Sequence, residues 1–309
     1  MMRALALALL AVVATAPAAH AASPVSLTDG FYVDPDSNPA VWVRNNPSDG
    51  RNAAIKNNIS SKPIARWFGS WSGDIKTAVG GYVNKTGTKL PVLVAYNIPG
   101  RDACGGHSGG GAGTPEAYRA WISAFASAIG SRPAVVVIEP DSLADFNCMT
   151  DAKIAERTAM IKYATEQFKA KAPNTWAYLD AGNAQWVPAG TMATRLNNAG
   201  VRNVRGFSIN VSNYHTTAAS TTYGNAVNTA LGITKPYVID TSRNGNGHNG
   251  EWCNPGGRKL GPPARTGGGA EMLLWVKVPG DSDGKCGKAP NVEAGKFDPQ
   301  LAYDLVYGY

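Results

Sequence analysis

An α/β barrel of about seven parallel strands is the fold class that this sequence predicts, and three observations predict it. Short apolar runs rich in β-branched residues recur along the chain, stretches of helical periodicity separate several of them, and no Ser/Thr/Pro linker divides them into modules. Strands buried on both faces read as near-continuous apolar runs, and strands that alternate with helices form a parallel sheet. Seven such runs favour a closed barrel, a unit that reaches roughly 250 residues as one domain. A doubly wound open sheet is the alternative, but no G-x-G-x-x-G follows the first run to mark a dinucleotide site.

The first element is not part of the fold. Met1 to Arg3 give a basic start, residues 4–14 an apolar run, and Ala19-His20-Ala21 a small-x-small cleavage site. Together they predict a secretory signal peptide over 1–21 and one domain over 22–309. The run is too short for a bilayer span, which needs about 20 apolar residues, so an exported protein with no membrane association is expected. The candidate strands follow at 64–68, 91–96, 134–138, 175–179, 206–211, 236–239 and 272–276. Between the second and third, Tyr118, Trp121, Ile122, Phe125 and Ile129 recur at spacings of three and four, the pattern of a helix over 116–129 that buries one face. A second helix is expected over 151–171, with Asp151 near its start and Pro173 stopping it.

Composition narrows the function classes. Eight Trp, twelve Tyr and seven Phe exclude a disordered chain. The 29 basic against 22 acidic residues leave a net charge of +7, but no run of five like charges marks a nucleic-acid stripe. Cys104, Cys148, Cys253 and Cys286 are an even set in a chain expected to be exported, which predicts two disulfides in one of three pairings. A zinc site is disfavoured because no C-x2-C or H-x3-H spacing occurs.

The chemistry lies at the strand ends. Asp102 follows the second run, Glu139 and Asp141 close the third, Asp180 the fourth and Asp240 the sixth, with Asp281 and Asp283 after the seventh. In a β/α barrel these ends and their loops form the active face. Glu139 and Asp141, two apart, are expected to project together, so that one holds a proton as a general acid must. Arg101 beside Asp102 reads as a charged pair at the edge of the site, followed by a glycine-rich loop over 105–113. That loop contains Gly106-His107-Ser108-Gly109-Gly110, but a nucleophile elbow needs a strand directly before the Ser and a helix directly after it, and neither is expected. Trp67, Trp186 and Trp252 fall near strand ends or in loops, where indoles are suited to stacking on sugar rings. Trp121 belongs to the helical stripe and reads as core.

Taken together, these motifs resemble the family 6 glycoside hydrolases, the inverting cellulases. Val94-x-Tyr96-x-x-Pro99-x-Arg101-Asp102 is similar to one family signature and Val137-Ile138-Glu139-Pro140-Asp141-Ser142-Leu143 to the other. Leu179-Asp180-Ala181-Gly182, Asp240-Thr241-Ser242-Arg243-Asn244-Gly245, Glu251-Trp252-Cys253-Asn254-Pro255 and the stretch from Trp275 through Gly284 resemble further blocks in family order. The resemblance implies a distorted barrel that hydrolyses β-1,4-glucan with inversion, as a monomer and with no metal or organic cofactor. It implies Asp141 as general acid, Asp102 as the residue that tunes it and helps organise the water, and Asp283 at the position usually proposed as base. It further implies Asp180 at the cleaved sugar, Tyr96 against the distorted ring, Arg101 at the edge of the site, Lys277 and Asp281 on hydroxyls, and Trp67, Trp186 and Trp252 as platforms. The family pattern pairs Cys104 with Cys148 and Cys253 with Cys286. Three positions depart from it: Ala103 is an extra residue before the Cys, Asn183 replaces a His, and Asp281 stands where Glu is usual. Short glycine-rich segments after Asp102 and over 247–269 imply an open groove and internal cleavage. The competing readings are an exo-acting member of the family and a glucan-binding protein that has lost catalysis, the latter disfavoured by the presence of Asp102, Asp141 and Asp283.

Overall fold

Strand β3, Ala134–Ile138, is buried at every position and shows how the sheet is built. Side chains alternate across a strand. Val135 and Val137 point into an inner core with Val92, Val94, Tyr178, Val238, Met272 and Leu274. Val136 and Ile138 point outward, against a layer that includes Leu93, Ala95, Leu179 and the helices. In this computed structural model, which describes residues 23–309, the remaining strands are β1 Arg66–Phe68, β2 Val92–Ala95, β4 Thr175–Asp180, β5 Gly206–Ile209, β6 Tyr237–Asp240, β7 Arg265–Thr266 and β8 Met272–Leu274. The expected signal peptide at 1–21 lies outside the described residues.

The strand order is β1-β2-β3-β4-β5-β6-β8-β7. All neighbours pair in parallel except β7 and β8. The seven expected runs are the seven parallel strands; β7, two exposed residues, carries no apolar signal and was not among them. The barrel is distorted because β1 and β8 share no ladder. The Ala65 N–H donates to the Trp275 carbonyl at 2.9 Å, and the Trp67 indole to the Val276 carbonyl at 2.7 Å, and these bonds bridge the gap.

Helices cover the outer face; α1 Asn38–Asn45, α2 Asn52–Ile55 and α3 Ile75–Lys85 come first in the chain. Helix α4, Pro115–Ile129, starts where the Thr114 side chain accepts the Ala117 N–H, and it buries Tyr118, Ile122, Phe125 and Ile129. Helix α5, Asp151–Lys171, has the expected bounds, with Asp151 in its first turn. None of the helices among the described residues is long and apolar enough to cross a membrane. Apart from Trp67, in the middle of β1, the candidate site residues sit on loops or strand ends at the C-terminal edge of the sheet.

Candidate active site

Three of the seven strand-end acids hold the rim of the barrel together. Glu139 is fully buried, and its carboxylate accepts the amides of Asn97 and Ile98 beyond β2 at 2.9 to 3.1 Å. Asp180 accepts the Asp141 and Gly182 amides, each at 3.0 Å, and the Ser208 hydroxyl of β5, also at 3.0 Å. Asp240 accepts four amides, from Ser212, Ser242, Val276 and Lys277. Where diverging strands run out of ladder bonds, carboxylates take up the orphaned N–H groups that burial would otherwise leave costly. Burial pushes Glu139 and Asp180 up to about 7 against those bonds.

Glu139 therefore corrects the expected sharing of a proton with Asp141. The two side chains do not project together. Both residues have left-handed backbones, φ 48° and 69°, which break the strand's alternation and send Glu139 under the β2 loop. Asp141 stays partly exposed, and its carboxyl makes no hydrogen bond within the protein among the described residues. Burial raises that carboxyl well above its ordinary range, the charges of Asp180, Asp145 and Asp102 raise it further, and Lys277 opposes them. The result is an accessible carboxyl that holds its proton more tightly than an ordinary aspartate and has no hydrogen-bond partner among the described residues.

Asp102, φ 55°, presents its carboxylate to the glycine-rich loop, accepting the Ser108 amide at 2.6 Å and its hydroxyl at 3.1 Å. The Ser108 hydroxyl also meets the Tyr96 hydroxyl at 2.9 Å, and no histidine is among its partners. Arg101 does not pair with Asp102 as expected. Its guanidinium lies over the Tyr96 and Trp71 rings at 4.9 and 5.3 Å and donates to the Ser108 carbonyl at 2.8 Å, clamping the loop. The glycine-rich loop also reaches two other loops. His107, from this loop, meets Trp252 of the β6 loop edge to face at 5.2 Å and lies against Gly284, next to Asp283. The Gly284 backbone, φ 146°, admits the imidazole only because it has no Cβ, which would stand 2.7 Å from Nδ1.

Asp283 is the electrostatic opposite of Asp141. It is buried, with Arg243 at 2.9 Å on one oxygen and Lys277 at 3.0 Å on the other, and it accepts the Tyr214 hydroxyl and the Asn254 amide, each at 3.1 Å. Burial alone would raise its carboxyl, but Arg243 and Lys277 outweigh that and hold it well below the usual carboxylate range. The disulfides join Cys104 to Cys148 and Cys253 to Cys286, in agreement with the family pattern. The second ties Asp283 to the Trp252 loop, and Asn254 ties the same two segments. Its side chain accepts the Asp283 N–H at 2.8 Å and donates to Ser282 Oγ and the Gly284 carbonyl. A displacement of about 1 Å at a reacting group can cost on the order of a hundredfold in rate. Asn254→Ala is therefore expected to lower kcat at least tenfold, and more than Cys253→Ser/Cys286→Ser, which leaves the Asn254 bonds in place. Steady-state kinetics on variants shown to be folded by circular dichroism compare the two, and a larger loss in the cysteine pair would refute the ranking.

Around these acids the chain places aromatic and polar groups. Trp67 packs edge-on to Tyr96 at 5.2 Å, Trp186 is partly exposed, and Trp252 is 47% exposed. Lys277 donates to Asp283 and the Ser282 carbonyl, which leaves one of its three N–H donors free. Asp281 is buried and accepts the Asn38 amide group on both oxygens.

The model of the glycosyl hydrolases family 6 matches residues 27–307. The chain belongs to this family. It is 60% identical to endoglucanase 1 of Streptomyces halstedii over 96% of its own length and 94% of that protein's. It is 42% identical to endoglucanase A of Thermobispora bispora, of which it spans 65%. Among solved structures, the endoglucanase Cel6 of Mycobacterium tuberculosis, in complex with methyl-cellobiosyl-4-deoxy-4-thio-β-D-cellobioside, superposes with a TM-score of 0.85 at 39% identity, covering 93% of this chain and 99% of that one.

In this family 6 hydrolase the fold brings Tyr96, Arg101, Asp102, Asp141, Asp180, Lys277 and Asp283 to one edge of the barrel. Sequence reasoning missed Arg243, Tyr214, Asn254, Asp145, Arg157 and Trp71. Arg243 and Asn254 lie inside motif blocks already singled out. Trp71, 57% exposed directly beyond β1, follows the same rule that drew attention to Trp67. Asp145 and Arg157 sit in a short turn and mid-helix, where polar residues carry no local signal.

Proposed function

We propose that the protein is an exported endo-β-1,4-glucanase, active as a monomer, that cleaves by single displacement with inversion. The observation that carries the reading is the pairing of opposites: Asp141 is a raised, accessible acid without a protein partner, and Asp283 is a carboxylate kept anionic by Arg243 and Lys277. Asp141 donates its proton to the leaving oxygen. The attacking water stands on the other face of the sugar, where the Asp283 charge and the Asp102–Ser108–Tyr96 chain orient it and take up its proton. Asp283 is a weak base because two cations hold it, so its part is to orient the water, and the proton passes through Ser108 to the Asp102 carboxylate. Asp180 sets the Asp141 turn through its backbone amide and borders the cleaved sugar. Tyr96, Trp67, Trp186 and Trp252 offer ring surface to successive glucose units, Arg101 fixes the loop over the site, and Lys277 with Asp281 meets hydroxyls. The names of the two relatives and of the thio-oligosaccharide complex support a β-1,4-glucan substrate, and the two disulfides suit an oxidising, extracellular compartment.

Viscosity of a soluble cellulose derivative should fall well before reducing ends accumulate, and proton NMR of the first product should show the α anomer. Viscosity and reducing ends changing in proportion would identify an exo-acting enzyme, and a β product would overturn the single displacement.

A further inference from the structure

Outside the residues that face the cleft, one buried ion pair touches both catalytic loops. Asp145 lies one turn beyond Asp141, its N–H donating to the Asp141 carbonyl at 2.9 Å. Its side chain is 1% exposed, and Oδ2 accepts the amide of Ala103 at 2.8 Å. Arg157, equally buried on α5, approaches the same oxygen at 3.7 Å and donates to the carbonyls of Pro99 and Gly100 at 3.1 and 2.5 Å. Asp102, in its left-handed conformation, is thus gripped from both sides, by carbonyls held before it and an amide held after it. Such a conformation persists only where the surroundings over-determine it. The amide belongs to Ala103, the residue that stands between Asp102 and Cys104 in this chain.

We propose that Asp145 and Arg157 are positioning residues for the hydrolysis: together they fix the turn that presents Asp102, and Asp145, whose N–H holds the Asp141 carbonyl, sets a carboxylate beside the general acid. The inference rests on Asp141 being the general acid. The groups that face Asp141 are Asp180 from the end of β4, Asp102 and Tyr96 from β2 and its loop, Asp145 from its own turn and Lys277 from beyond β8. Of the carboxylates in this set, Asp145 is the one that has a buried cation beside it among the described residues. Burial raises the Asp145 carboxyl, while the Ala103 amide and Arg157 favour its ionised form. Replacing it with a neutral side chain removes a negative neighbour of Asp141 and leaves Arg157 unbalanced, and both changes favour the Asp141 anion.

The test is the pH profile of kcat/KM on a soluble cello-oligosaccharide. Asp145→Asn keeps an oxygen for the Ala103 amide and removes the charge, so the alkaline limb should move down by about 1 pH unit. Arg157→Lys keeps the charge and loses the paired carbonyl contacts, so turnover should fall about tenfold with the limb unmoved. An Asp145→Asn profile that superposes on the parent, or is scaled down without moving, overturns the proposal. So does an Arg157→Lys limb that moves as far as that of Asp145→Asn, and the lysine variant decides the matter if the asparagine variant does not fold. Failure of the underlying reading looks different: Asp141→Asn would then lose activity equally on substrates with and without an activated leaving group.

Discussion

Replacing Asp141 with asparagine is expected to lower kcat on unactivated glucan by about 10²–10⁴-fold, the range that a positioned general acid supplies. A substrate whose leaving group departs without a proton should retain most of its rate, because only the protonation step is lost. The structure makes this a clean substitution. Asp180 is held by the backbone amide of Asp141, not by its carboxyl, so the turn keeps its contacts when the side chain changes. Burial and the neighbouring acids make the charged form of Asp141 unfavourable in the fold, a penalty that a neutral amide does not carry, so the variant should melt no lower than the parent. Hydrolysis rates on the two substrate types measure the effect. Parallel losses on both would assign the proton to another group.

The second large effect is on stability. Arg243→Leu leaves Asp283 buried with Lys277 as its remaining cation, and uncovering one partner of a buried pair typically costs about 3–5 kcal/mol. For a domain of this size that corresponds to a fall in Tm of roughly 10 °C, which calorimetry reads directly. Arg243 is also stacked on Tyr214 at 4.3 Å, so the loss includes packing. The pH dependence follows from the direction of the shift. The folded pKa of Asp283 lies below the ordinary 3.8, so its ion pairs contribute in full above that pH and are lost as pH falls through the folded value. The parent should therefore lose stability below about pH 4, and the difference between parent and Arg243→Leu should narrow there. A gap that widens on acidification would show that Arg243 acts through something other than the Asp283 charge.

Much of the scaffold was legible in the chain. The run 134–138 is a strand with those same bounds because an unbroken Ala-Val-Val-Val-Ile stretch has no polar face and only a doubly covered strand can bury it. Helix α4 was readable from the three–four spacing of Tyr118, Ile122, Phe125 and Ile129, all of which face the core. Strand β7 was not, since Arg265 and Thr266 pair with β8 in the open and bury nothing. Asp102, Asp141 and Asp283 were found by their place at strand ends. The same rule also found Glu139, Asp180 and Asp240, and it could not separate rim-holding acids from one that carries a proton.

By itself the sequence determined the class of fold, the positions of its parallel strands and the edge at which the acids gather, because apolar periodicity and strand order are local and survive in one dimension. Only the tertiary structure decided what each acid does. Glu139 and Asp141 stand two residues apart with similar chemistry, and one is fully buried and takes two amides while the other stays accessible and takes none. Asp283 differs from Asp141 through Arg243 and Lys277, which lie on different loops. A carboxyl's protonation depends on burial and on charges within a few ångströms, and those neighbours come from strand ends far apart in the chain.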